Sequence, residues 1–320
     1  MSEAAITTVS PAWALLGAAL LALLVLFAAV LDHVLTARSE RVGGLNGSAY
    51  LGSAVAGPLH ESARLLRQRR RTTLSADSLL WRIGGSGLLV LAMLMVTVVP
   101  LGSWTIAPLD VGVVWFNTMD VMVWAMVWMV GWGANSAHSL VGGYRFLAHG
   151  LGYELPLMFA LVAPVIAAAS LNVGTIAAAQ RDLWYVVWMP VAFGVYCLGV
   201  VAFSVWGPFA AALGADIGGG VGAELSGVDL LLFTAGRYAL LAAGAAFAVP
   251  MFLGGGSGPL LPDWLWTLTK TVLLLGALVW LRRRMPILRP DKFMELGWMV
   301  LLPAVLVQDL IVSVVAIWRA

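Results

Sequence analysis

Hydrophobic residues fall in eight long runs separated by polar stretches, at roughly residues 12–31, 84–100, 111–131, 155–171, 183–206, 228–252, 263–281 and 297–318. Each run approaches the ~20 apolar residues that a helix needs to cross the hydrocarbon core of a bilayer. Pro100, Gly131, Pro262 and Gly297 stand near their ends, where a helix is readily interrupted. The pattern predicts an all-α integral membrane protein of about eight transmembrane helices, forming a single transmembrane domain over 1–320. No internal repeat is visible, so an inverted-repeat transporter is not supported. Between the first two runs, Tyr50 to Leu66 alternates in helical fashion. Leu51, Val55, Pro58, Leu59, Leu65 and Leu66 could face lipid or protein, and His60, Glu61, Arg64 and Arg67 the polar side. This stretch reads either as a cytoplasmic interfacial amphipathic helix or as a basic juxtamembrane loop beside anionic lipid.

Composition sharpens the picture. Hydrophobic residues make up 61% of the chain and charged residues only 11%, against roughly 25% charged residues in soluble domains. A soluble enzyme is excluded, because so little charge cannot keep a folded surface in water. Fifteen Trp fit a membrane–water interface. The net charge of +2 says less than its distribution. Fourteen basic residues collect on one side: Arg38, Arg41, Arg64, Arg67, Arg69, Arg70, Arg71, Arg82, Arg145, Arg282, Arg283, Arg284, Arg289 and Lys292. The opposite loops and ends offer only Arg181 and Arg319. The positive-inside rule makes the basic side cytoplasmic, with both termini on the other side, as an even number of spans requires. The chain then sits in the inner (cytoplasmic) membrane, and all four histidines, His33, His60, His138 and His149, fall on the cytoplasmic side. The first run is too long for a signal peptide and lacks a basic flank.

Ionisable residues inside a bilayer are costly, so each is a functional candidate. These are Asp120 in the third span, Glu154 at the mouth of the fourth, Asp229 and Arg237 in the sixth, Lys270 in the seventh and Asp309 in the eighth. They read either as a partly hydrated polar track or as buried ion pairs and interfacial charges. Asp229 and Arg237 are two turns apart on one helical face. The single Cys197 can form no intrachain disulfide and cannot by itself hold an iron–sulfur cluster or structural zinc. No metal site is expected, since the histidines are scattered. Gly218-Gly219-Gly220 lies outside any strand–helix unit and is no dinucleotide fingerprint. No basic–aromatic pattern points to nucleic acid.

The stretch GWGANSAHSLVGGYRFLAHGLGYELP, Gly131 to Pro156, resembles the signature of the membrane-embedded H subunits of bacterial NADH:quinone oxidoreductase (respiratory complex I). That family shows a GWxSNSKYxLLGxxRxxAQxxSYE pattern. Gly131, Trp132, Asn135, Ser136, Leu140, Gly142, Arg145, Tyr153 and Glu154 match it. GPLHESARLL from Gly57 resembles the family's amphipathic helix, with Glu61 and Arg64 at its acidic and basic positions. SLNVGTIAAAQ from Ser170 matches its outer loop. The last two spans, from Thr269, match closely and include Lys270, Arg282, Pro286, Arg289 and Asp291. The resemblance covers nearly the whole chain in order. It implies a membrane floor for a quinone site, entered from the bilayer near the first span, the amphipathic helix and the sixth span. Electrons would arrive from an iron–sulfur cluster in a peripheral subunit, and quinone reduction would be linked to proton translocation. The implied quinone-cavity residues are Arg41, Arg64, Arg145, Pro208 and Phe209. Proton-path candidates are Glu154, Glu61 and Glu224 together with Asp120, Asp229, Arg237, Lys270 and Asp309. No cofactor is expected on this chain: quinone would be the substrate, with NADH, FMN and iron–sulfur clusters in partner subunits.

The chain also departs from the family. The loop after the fifth span reads AFSVWGPFAAALGADIGGGVGAELSG where the family has roughly AExxRxPFDLxExExEL followed by EYSG. Pro208, Phe209, Glu224, Ser226 and Gly227 remain, but charged positions become Phe203, Trp206, Ala210 and Leu213. A family Glu falls at Arg237 and the Lys of NSK at Ala137, and of RxGPNRxGP only Arg41-Val42-Gly43-Gly44 is left. The loss of these carboxylates keeps other readings open. One is the equivalent membrane subunit of an energy-converting hydrogenase or formate hydrogenlyase. Another is a non-catalytic anchor for a peripheral redox module.

Overall fold

The structure is a computed structural model that describes residues 7–8, 10, 12–40, 47–214 and 219–319. Twelve α-helices follow one another among them: α1 (Trp13–Glu40), α2 (Gly47–Arg67), α3 (Ser78–Val96), α4 (Gly112–Gly133), α5 (Ala137–Ala168), α6 (Val173–Ala178), α7 (Tyr185–Trp188), α8 (Pro190–Phe203), α9 (Gly227–Phe252), α10 (Asp263–Arg284), α11 (Pro290–Leu296) and α12 (Leu302–Arg319). A 3₁₀ turn, Gly207–Leu213, extends α8, and a π-helical turn, Gly297–Leu301, joins α11 to α12. The described strands are a two-residue parallel pair, Thr7–Thr8 with Trp104–Thr105. Eight helical stretches are long and apolar enough to cross a membrane, as the hydrophobic pattern predicts.

Several boundaries differ from those read from hydropathy. The second span begins at Ser78 because the Asp77 carboxylate caps it, accepting from the backbone N–H of Leu79 and Leu80 at 3.1 Å each. The fifth loses its start at Pro190, which has no N–H to continue a helix, so 185–188 stands apart as α7. The largest shift concerns the fourth. Helix α5 starts at Ala137, not near residue 155, and runs for 32 residues. The tight link from α4 passes through Asn135, whose φ of +45° reverses the chain. Residues 137–154 look too polar for a span, yet the buried ones follow a helical period: Ser139, Gly142, Phe146, His149, Tyr153 and Pro156. They face protein, where the Ser139 hydroxyl, His149 Nε2 and the Tyr153 hydroxyl find polar partners in place of water. Glu154 is therefore not at a helix mouth. It lies seventeen residues into α5, about 26 Å along its axis. His149 is likewise inside the span.

Helix α9 is the centre of the bundle. Its residues Gly236 to Phe252 are all buried, and its many Ala and Gly let neighbours approach closely. A Cβ at Gly236 would lie 2.6 Å from that of Leu88 on α3. The Phe247 ring stacks on Phe116 of α4 at 3.8 Å. Around this centre the outward faces are apolar, and exposed Trp side chains mark both ends: Trp132, Trp280 and Trp298 at the arginine-rich end, and Trp13, Trp104, Trp264 and Trp318 at the other. That is the distribution expected of two interfacial belts. Helix α2 packs against α1 and α9 at the arginine-rich end, with Pro58 and Leu65 turned inward and Val55, Leu59 and Leu66 exposed. The amphipathic-helix reading of this stretch is the one that holds.

Candidate functional site

One face of α5 carries a line of polar groups from its start to mid-bundle. Ser136 precedes the helix, and its hydroxyl donates to the Glu224 carboxylate at 2.8 Å. Gly142 lets the chain around Gly220 and Val221 cross directly over α5: a Cβ there would lie 2.3 Å from the Val221 nitrogen. One turn on, Arg145 donates to the carbonyls of Ala211 at 3.2 Å and Gly219 at 3.4 Å, tying that chain to the helix. Next comes His149, fully buried, with Nε2 at 3.3 Å from the Leu288 carbonyl. Its ring meets Phe209 and Phe293 edge to face. One turn further, the Tyr153 hydroxyl accepts from the Trp124 indole at 2.9 Å.

The line ends on carboxyl groups. Asp120 on α4 has zero exposure. The buried oxygens of Asp120 and Glu154 find no partner of hydrogen-bonding geometry among the described residues. Asn117 is a polar neighbour of Glu154, and its own side-chain oxygen is also unmatched. Asp120 and Glu154 are close enough to feel each other's charge. Asp309, on α12 against α5, has both oxygens unpartnered as well. A carboxylate buried without cation or donor costs several kcal/mol, so such groups suit uptake and release of a proton with attendant water.

A second cluster is cationic and gathers what the sequence scatters. Asp32, on α1, forms an ion pair with Arg282 at 2.8 Å and accepts hydrogen bonds from Arg283 at 2.7 Å and the Tyr238 hydroxyl at 2.8 Å. Arg282 and Arg237 both place their guanidinium carbon 3.6 Å from the centre of the Trp206 indole. Arg237 also donates to the Val205 carbonyl at 2.5 Å. Two buried cations on one indole are held by cation–π attraction, which strengthens when water is absent, and Asp32 is the carboxylate that Arg282 and Arg283 share.

The other candidates are dispersed. Lys270 donates to three backbone carbonyls, of Leu253 at 2.7 Å, Gly255 at 2.9 Å and Ser257 at 2.8 Å, with its ammonium 4.2 Å from the Trp184 ring. Beside it the Gln180 amide donates to Pro250 and Met251 and accepts from Gly254 and Tyr185, so the two side chains close the far end of α9. Asp229, in the first turn of α9, pairs with Arg70 at 2.9 Å, away from Arg237. Glu61 and Arg64 pair with each other at 2.5 Å on the exposed side of α2. The Arg64 hydrogen bonds hold the Glu61 carboxyl below the usual carboxylate range. Pro208 and Phe209 are buried, Phe209 among His149, Tyr153 and Phe293. Arg41 lies outside the described residues. Among the described residues no three His, Cys, Asp or Glu come together as a metal site would require. An apolar cleft lined by Trp13, Leu16, Leu20, Trp104, Ile106 and Leu268 opens at the end opposite α2.

Comparison with known proteins gives this arrangement its context. A family model described as NADH dehydrogenase matches residues 13–313. The chain belongs to the NADH dehydrogenase family. Among curated relatives, an NADH-quinone oxidoreductase H subunit of Geobacter sulfurreducens is 32% identical over 265 residues, covering 79% of this chain and 80% of the relative. Its counterpart in Geobacter metallireducens is 31% identical over 273 residues, covering 82% and 83%. The one from Rhodopseudomonas palustris is 33% identical over 216 residues, covering 67% and 68%. The relatives are thus subunits of an NADH-quinone oxidoreductase, and the chain, with its eight helices long and apolar enough to cross a membrane, is a multi-pass membrane protein of the NADH dehydrogenase family.

Sequence reasoning misses Asp32, His149 and Trp206 as site residues. Asp32 falls one position beyond the first apolar run, which ends at residue 31 by hydropathy while α1 continues to Glu40. His149 lies in a stretch that reads as loop and is helix. Trp206 carries no charge, and only the fold stacks two arginines on it.

Proposed function

We propose that this chain is the membrane subunit of an NADH:quinone oxidoreductase, forming the floor of the quinone site at its arginine-rich end and linking quinone reduction to proton translocation through the buried carboxyl groups of α4 and α5. One observation carries the reading: Asp120 and Glu154 sit unpartnered at mid-bundle, at the end of a polar line that starts at the arginine-rich face. Loops there, with α2, supply the docking surface for the peripheral subunits that would hold NADH, FMN and iron–sulfur clusters. Quinone is the substrate. This places the chain in the inner membrane, with both termini opposite the peripheral subunits. Glu154→Gln, which keeps shape and removes the exchangeable proton, tests it. Assembly should persist while proton translocation in vesicles falls several-fold, and wild-type translocation would remove Glu154 from the mechanism.

A second reading has support from the same structure. In the cation cluster, Arg237 and Trp206 stand where the family pattern has a glutamate and an arginine, beside the family-matching Arg282, which favours the equivalent subunit of an energy-converting hydrogenase or a plain anchor. Purification in mild detergent separates the readings, because co-purification of a nickel–iron large subunit and no NADH-oxidising subunit would select the hydrogenase.

A further inference from the structure

We propose that His149 carries protons between the arginine-rich end of α5 and the buried carboxyl groups, an assignment that rests on the proton-translocating reading above. In the family pattern the position after the alanine of AQxxSYE is glutamine; this chain has Ala148-His149. A group that cannot titrate is thereby replaced by one that can, in the chain whose next loop has lost its carboxylates at Phe203, Ala210 and Leu213.

The local geometry suits a carrier. The ring has no exposed surface. Nε2 lies 3.3 Å from the Leu288 carbonyl, an acceptor only, so this nitrogen keeps its hydrogen. Nδ1 is then a bare acceptor, and it is buried with no partner among the described residues. A histidine serving only as an aromatic filler between Phe209 and Phe293 gains nothing from an unmatched nitrogen, whereas a carrier needs that lone pair. Tyr153 stands one turn on, with side chains at this spacing about 5–6 Å apart, and Tyr153 adjoins the charges of Asp120 and Glu154. Towards the other end, Arg145 is one turn back, followed by Ser139, Ser136 and Glu224. Charged groups on other packed elements are Arg289 and Asp291, which follow Leu288 in the chain and pair with each other at 3.1 Å, and Asp120 on α4. Nδ1 accepts a proton arriving from the arginine-rich end, giving imidazolium. The same proton then leaves to the carboxylate of Asp120 or Glu154, restoring neutral imidazole with Nε2–H unchanged. No electrons move in this step.

The test compares His149→Gln, His149→Asn and Glu154→Gln in the assembled complex reconstituted into vesicles, measuring quinone-linked turnover and proton uptake across pH 4–9. Glutamine restores the family residue and can still donate to the Leu288 carbonyl. The expected result is a roughly five- to tenfold loss of proton translocation in His149→Gln, with one titration missing from its pH profile and partner subunits retained. Wild-type translocation and pH profile in His149→Gln, beside a loss in Glu154→Gln, overturns this proposal and leaves the function reading standing. Wild-type behaviour in both variants overturns both. If His149→Gln fails to assemble, His149→Asn takes its place, and failure of both to assemble assigns the residue to packing and refutes the proposal.

Discussion

Replacing Lys270 by methionine separates a structural ammonium from a proton carrier. The structure gives all three ammonium hydrogens to backbone carbonyls, at 2.7–2.9 Å, and leaves the Trp184 ring 4.2 Å away. Each bond to a charged donor contributes about 1.5–3 kcal/mol net, and the cation–π contact about 0.5–2 kcal/mol. Burial of the ammonium costs several kcal/mol and offsets much of that sum. Methionine removes the charge and its burial cost but leaves three carbonyls unmatched at about 1–3 kcal/mol each, partly relieved by water at the membrane surface. The net is a local destabilisation of about 3 kcal/mol, or roughly a hundredfold in the population of the opened 253–258 segment, at tenfold for each 1.4 kcal/mol. Hydrogen–deuterium exchange of the detergent-solubilised complex reads this directly. The amides of Gly254, Gly255 and Ser257 are hydrogen-bonded within the same closure and should exchange roughly a hundred times faster. Proton translocation per quinone reduced should be unchanged in the surviving complex. Exchange within about threefold of wild type, together with lost translocation, would falsify the reasoning and return Lys270 to the proton path.

The remaining predictions concern packing and sidedness. Gly142→Ala puts a Cβ 2.3 Å from the backbone nitrogen of Val221 and 2.6 Å from the Ala212 carbonyl, contacts that only a backbone shift can relieve. It should lower the subunit's yield in the complex and loosen residues 211–214 and 219–221, measured by co-purification and exchange; wild-type yield and exchange would show that the chain is not held over α5 there. Reporter fusions after Ala320 and at Ile287, which is exposed between α10 and α11, should give opposite signals, since α11 and α12 together form one crossing. Equal signals would overturn the eight-span topology.

Much of the fold was legible in the sequence because membrane spans are selected by a one-dimensional property. A helix in lipid must satisfy its backbone internally and present apolar side chains, so run length and hydropathy find it with no knowledge of its neighbours. The eight spans, the amphipathic α2 and the family signature are all visible in this way. Polarity misleads where a helix faces protein. Residues 137–154 resemble a loop by hydropathy, yet Arg145 is answered by the carbonyls of Ala211 and Gly219 and Ser136 by Glu224.

Residue type and position were likewise enough to nominate Asp120, Glu154, Arg237, Lys270 and Asp309, since charge in an apolar run is costly wherever it falls. Their partners are set by contacts between distant parts of the chain. Asp32 meets Arg283 across 251 positions, Arg237 shares Trp206 with Arg282, and Lys270 spends its hydrogens on backbone that any sequence could supply. The sequence alone determined which groups cannot lie in lipid unaccompanied. Only the tertiary structure decided which are answered by a neighbour and which, like Asp120, Glu154 and His149, keep an unmatched atom, because matching depends on helix packing in space and no local pattern encodes it.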